Sequence, residues 1–143
     1  MSGYSIKITS IVEELDSAGL ATSDERSEEC APCTVEKTGD TLSVSFTEVS
    51  EGGQASATVT LLDGCLTVHR CGAIESTLTF REGESYKTLY KIPPYAFDMT
   101  VTTKRLAVNM TEEGGEVSVL YLMSIGGADK RVRMRITLSR GDA

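Results

Sequence analysis

Residues 131–139 alternate without a break. Val132, Met134, Ile136 and Leu138 are apolar, and Arg131, Arg133, Arg135, Thr137 and Ser139 between them are polar. Side chains of a strand point to opposite faces in turn, so this spacing makes one dry face and one charged face. A helix would need apolar residues every three to four positions instead. Leu42-Val44-Phe46 against Ser43-Ser45-Thr47 repeats the pattern, as does Phe97-Met99-Val101 against Asp98-Thr100-Thr102. Turn signals separate the runs. Asp63-Gly64 lies between Ala57–Leu62 and Cys65–Arg70, a two-residue hairpin signal because that turn wants positive φ. Gly114-Gly115, Gly126-Gly127, Gly52-Gly53 and Glu82-Gly83-Glu84 mark further turns. The spacing predicts roughly nine or ten strands joined as consecutive hairpins.

A meander of that length must hide its edges, and closure into a barrel removes them altogether. A two-sheet sandwich competes, but tight turns without long crossovers favour the barrel. The 143 residues suit one domain, residues 1–143, large enough to hold a core without staples. The expected fold class is therefore all-β, a single closed antiparallel barrel. Residues 13–29 carry Glu13, Glu14, Asp16, Asp24, Glu25, Glu28 and Glu29 against Arg26 alone. They show neither period and are expected to form an acidic loop, with a short helix over Ile11–Ala18 as the alternative.

The formal net charge of −7 argues against nucleic acid and against anionic membrane surfaces, which both need summed positive potential. The basic end of the chain, Lys130, Arg131, Arg133, Arg135 and Arg140, opposes that charge locally. The first residues lack the basic and apolar regions of a signal peptide, and no window has the roughly 18 apolar residues of a membrane span. The expected location is the cytoplasm, where four cysteines stay reduced.

Cys30-Ala31-Pro32-Cys33 has the spacing of a zinc or redox pair. Redox work wants that pair between a strand and a helix in a βαβ unit, which the pattern lacks. For zinc the second pair would be Cys65 and Cys71, which share strand parity with His69. Six residues of strand separate those thiols by about 20 Å, too far for one ion. No metal and no cofactor are expected. His69, the only histidine, is expected at the surface or rim, with a general-base role as the weaker alternative. Neither a P-loop, a dinucleotide fingerprint nor a Gly-x-Ser-x-Gly elbow is present, and no catalytic residues are assigned.

Arg70-Cys71-Gly72, Leu78-Thr79-Phe80-Arg81-Glu82-Gly83 and Tyr90-Lys91-Ile92-Pro93-Pro94-Tyr95-Ala96 follow one another in a fixed order. Together with Lys104-Arg105-Leu106 and Gly114-Gly115-Glu116, the series resembles the YwiB-like family, bacterial proteins of unknown function. The resemblance covers about Leu42 to the end of the chain and implies a calycin-type, lipocalin-like barrel. Pro93 stands where that family has Thr, and Ala96 where it has Gly. The family carries no established catalytic residues to transfer.

Glu48 continues the inward parity of Leu42, Val44 and Phe46, and Arg70 is the other charged residue that the family pattern fixes in position. A carboxylate in a barrel needs a partner, so a Glu48–Arg70 pair is expected, either as a structural pair or as the anchor of a ligand cavity. Tyr90, Tyr95, Phe97 and Tyr121 suit a barrel mouth or an ordinary core. The function read from these residues is binding of a small molecule in or at the mouth of the barrel. Its ligand-binding residues would be Arg70, Glu48, Tyr90, Tyr95, Phe97 and Tyr121. The alternative is a non-enzymatic protein-interaction or assembly module, a homodimer included, that uses the Arg131/Arg133/Arg135 face or the acidic segment.

Overall fold

The computed structural model describes residues 2–50, 53–92 and 94–142. Within them run ten strands: β1 Ser2–Leu15, β2 Ala21–Thr38, β3 Thr41–Ser50, β4 Gly53–Leu62 and β5 Cys65–Gly72, then β6 Ser76–Phe80, β7 Ser85–Ile92, β8 Tyr95–Thr111, β9 Gly114–Ile125 and β10 Ala128–Asp142. They form one antiparallel sheet in the order β6-β5-β4-β3-β2-β1-β10-β9-β8-β7. Except for β6 and β7, each strand thus pairs with its sequence neighbours, and β1 pairs with β10 from Ser2↔Asp142 to Glu14↔Lys130. Between β6 and β7 the sheet all but closes. There the Glu75 and Lys91 backbones exchange hydrogen bonds of 2.9 and 2.8 Å, and Thr103 bonds the 81–84 turn through Gly83 and Glu84.

The alternation read from the sequence sorts the faces as expected. Ile6, Val44, Val59, Leu66, Phe80 and Ile136 are fully buried inside, and the arginines of β10 face out. A dry inside and a charged outside invert the polarity of a lipid-spanning barrel. Among the described residues no helix is long and apolar enough to cross a membrane. The β4–β5 hairpin turns on Asp63 and Gly64 at φ 49 and 71, the paired positive angles that a two-residue turn of this hand requires. Gly126-Gly127 makes the equivalent turn between β9 and β10.

Three expectations are corrected. Residues 13–29 are not a loop, and Ile11–Ala18 is not a helix. β1 runs to Leu15, the turn occupies 16–20, and β2 starts at Ala21. Asp16 shapes the turn, its Oδ1 accepting from the Ala18 and Leu20 amides at 2.9 Å each. Alternation was absent because β2 pairs with β3 only from Cys33 to Thr38. Residues 21–28 are held by β1 alone and exposed on both faces, and a strand wet on both sides has nothing to alternate. Gly114-Gly115 is not a turn either. Thr111 pairs with Gly114, so Glu112-Glu113 turn the chain and the glycines open β9. The Gly52-Gly53 signal falls partly on residues outside those described.

Pro32 sits where the β2–β3 ladder stops. Without an N–H, proline is confined to strand edges and ladder ends. Beyond it β2 and β3 no longer share backbone hydrogen bonds, and this gap sets the position of the site described next.

A polar cluster at the open end of the barrel

The face of β2 that includes half-buried Ala31, Cys33 and Val35 carries Glu29 past the end of the β2–β3 ladder. On β3 the inward parity that buries Phe46 carries Glu48. On β5 it carries Arg70, directly across from Ser76 on β6. On β9 it carries Tyr121, directly across from Thr103 on β8.

The expected Glu48–Arg70 pair is present: Arg70 Nε donates to Glu48 Oε1 at 2.6 Å, and their side chains are 18% and 16% exposed. Only Nε is used. Among the described residues neither terminal amino group of Arg70 has a hydrogen-bond partner. Burial pushes the Glu29 carboxyl up to about 7, and the Glu48 carboxyl adds to the rise through a shared hydrogen bond and repulsion, while Arg70 opposes it. Burial also pushes the Tyr121 phenol up to about 12, which keeps it a donor through the physiological range. Its ring packs on Phe80 at 4.6 Å between centroids. Ser76 Oγ and Thr103 Oγ1 are buried without a hydrogen-bond partner. Orphaned buried hydroxyls are rare in native structures and call for an explanation. Here they flank Arg70 and Tyr121. A cavity of about 390 Å³ opens at this end, lined by Ile8, Glu29, Val68, Arg70, Tyr121 and Met134 among others.

Of the six expected site residues, Glu48, Arg70 and Tyr121 come together. Tyr90 lies half-buried against the core and is near enough to Tyr121 to influence its charge. Phe97 pairs with Tyr90 across β7 and β8, but it is 42% exposed, and Tyr95 is 66% exposed. Neither borders the cavity. Ala96 keeps a negative φ within β8, and Pro93 lies outside the described residues. Glu29, Ser76 and Thr103 escaped the sequence reading.

The thiols do not converge. Cys30 is exposed and Cys33 half-buried on the opposite face of β2, and three residues of strand hold them about 10 Å apart. His69 is exposed, with Nδ1 2.8 Å from Thr77 Oγ1. Among the described residues no three His, Cys, Asp or Glu side chains are grouped to hold a metal.

Residues 6–137 match the family described as Domain of unknown function (DUF1934). The chain belongs to this family. Over 99 residues it is 27% identical to the uncharacterized beta-barrel protein YwiB of Bacillus subtilis (strain 168), a match covering 68% of this chain and 70% of that protein. The crystal structure of the ywiB protein from Bacillus subtilis superposes with a TM-score of 0.86 at 23% identity, over 99% of this chain and 93% of that one. The ywiB structure shares the barrel.

The Glu29 shift has a consequence for stability. Its folded pKa is raised from 4.5 to about 7, so between those values the folded state holds more protons than the unfolded one. Its contribution is therefore full below pH 4.5, is lost as pH rises to about 7, and is constant above. Glu29→Gln keeps a donor toward Glu48 without the charge. It is expected to stabilise the protein at pH 8 by about 1 kcal/mol after allowance for solvent screening, and to flatten that pH dependence. Urea unfolding from pH 4 to 8 checks both; parallel curves for the two proteins would contradict the assignment.

Proposed function

We propose that this protein is a non-enzymatic binding barrel that takes a small carboxylate-bearing molecule at the polar end of its interior. The observation that carries the reading is the Arg70 guanidinium. Its Nε is spent on Glu48, and it lines the cavity together with the Tyr121 phenol and a Glu29 carboxyl able to hold a proton near neutrality. Arg70 and Tyr121 are donors, and Glu29 becomes one when it holds its proton; a carboxylate is the small group that accepts from several at once. A cavity of about 390 Å³ suits a small metabolite. The aliphatic filling below it restricts the ligand to this end. In this reading the chain is a calycin-like carrier working in the cytoplasm.

Thermal shift against a panel of mono- and dicarboxylates tests the proposal. A ligand at ten times its Kd should add about 1.4 kcal/mol, on the order of 4 °C in Tm. The shift should be larger at pH 6 than at pH 8, because a proton on Glu29 removes a competing charge. It should shrink in Arg70→Lys and Tyr121→Phe. A panel that shifts nothing, or shifts the variants equally, would sink the idea.

A further inference from the structure

The outer face of the same wall carries a second pattern, which only the strand register makes visible. Arg105 on β8 stands opposite Leu120 on β9, and Leu120 opposite Arg133 on β10. Arg133 stands opposite Ile11 on β1, and Ile11 opposite Arg26 on β2. One row across five strands therefore reads Arg-Leu-Arg-Ile-Arg. With strands about 4.8 Å apart, the arginines recur roughly every 10 Å over about 19 Å. All five residues line a groove of about 610 Å³ on this face. Leu120 and Ile11 are half-buried in it, and the three arginines are exposed.

Three carboxylates near the row pair with cations outside it, although Glu13 also feels the charge of Arg133. Glu13 takes both hydrogen bonds of Arg131, at 3.0 and 3.1 Å. Glu28 faces Lys7 at 3.7 Å, and Glu116 faces Arg135 at 3.9 Å. Among the described residues Arg26, Arg105 and Arg133 make no salt bridge, although the protein as a whole carries −7. The basic surface is thus not the β10 trio of Arg131, Arg133 and Arg135 but a stripe running across the strands.

We infer that the row Arg105-Leu120-Arg133-Ile11-Arg26 docks an acidic amphipathic helix of a partner protein, laid across β8, β9, β10, β1 and β2. Three cations without salt bridges, spread over this length, exceed what one small anion can touch. A helix repeats the required alternation. Side chains three to four residues apart lie on one face about 5 Å apart along the axis, so carboxylates and aliphatics in turn match arginines and aliphatics in turn. The aliphatic contacts give affinity, and the charges fix register and orientation.

The probe is a fluorescein-labelled eighteen-residue helical peptide with Glu and Leu alternating every three to four residues along one face. Fluorescence anisotropy should show saturable binding that weakens at least roughly tenfold with Arg133→Glu or Arg105→Glu, and weakens again with added salt. Lys87→Glu, on exposed β7, should leave binding unchanged. All three substitutions are at exposed positions, and circular dichroism melting confirms that each variant folds. Absence of binding, equal binding by the Glu→Gln peptide, or indifference to Arg133→Glu overturns the inference. Sedimentation supplies the remaining arm: a dimer that dissociates in Arg133→Glu would make the occupant a second copy of this chain and overturn the separate partner.

Discussion

Gly115→Ala is expected to destabilise the protein by about 3–5 kcal/mol, a large part of what a domain of this size possesses. Gly115 sits at φ +127, a conformation that L side chains rarely adopt, and holding one there costs about 1–3 kcal/mol. A Cβ would also stand 2.0 Å from the Asn109 carbonyl oxygen and 2.9 Å from Met110 Cα. Both are backbone atoms of β8, so nothing flexible can give way, and the β8–β9 ladder must part at the base of its hairpin. Gly64→Ala is the matched control. Its φ is +71 and a Cβ there meets nothing within 4 Å, so only the conformational penalty of about 1 kcal/mol remains. Urea midpoints for the two variants should differ several-fold in their displacement; equal displacement would mean that close approach is not what demands glycine at 115.

Arg70→Met is expected to lose about 2–3 kcal/mol at pH 8 and much less at pH 5. Removing one partner of a poorly solvated pair leaves the other charge uncompensated, which dominates the cost of breaking such pairs. Here two carboxyls are left facing each other, because Arg70 is the group that opposes the rise in the Glu29 pKa. Without it that pKa rises further, so the folded state binds protons more tightly still. The loss therefore deepens as pH increases through neutrality and recedes in acid. Adding Glu48→Gln to Arg70→Met should restore most of the stability at pH 8. Urea unfolding of the single and double variants at both pH values decides the point. An equal loss at pH 5 and 8 would assign Arg70 a packing role in place of an electrostatic one.

Parity made the Glu48–Arg70 pair legible in the sequence, because both residues extend runs whose apolar members mark the interior. The same rule, carried backward from Val35 through Cys33 and Ala31, reaches Glu29. Pro32 and the dense acidic charge hid that run, since neither belongs to an ordinary strand. Ser76 and Thr103 carry no sequence signal, because serine and threonine alternate on both faces of this barrel. The cross-strand arginine row was equally hidden. It joins residues up to 122 positions apart, and it depends on the Thr103/Arg105 register shift in β8, which turns Arg105 outward. Glycine pairs were read as turns wherever they occurred, yet Gly114-Gly115 serves close approach. Composition cannot separate those two uses.

The pairing of β1 with β10 also sets an order of events. Hairpins β1–β6 need only local contacts, whereas the β1–β10 ladder joins residues more than a hundred positions apart, and such non-local pairing is slow to form. Until β10 emerges during synthesis, the long outer edge of β1 waits unpaired. A bare edge of that length is a template for another chain. Glu13 and Glu14 on β1, and the acidic start of β2 beside it, put charge along that waiting edge. Like charges on such edges repel, which disfavours pairing between nascent copies before the last strand arrives.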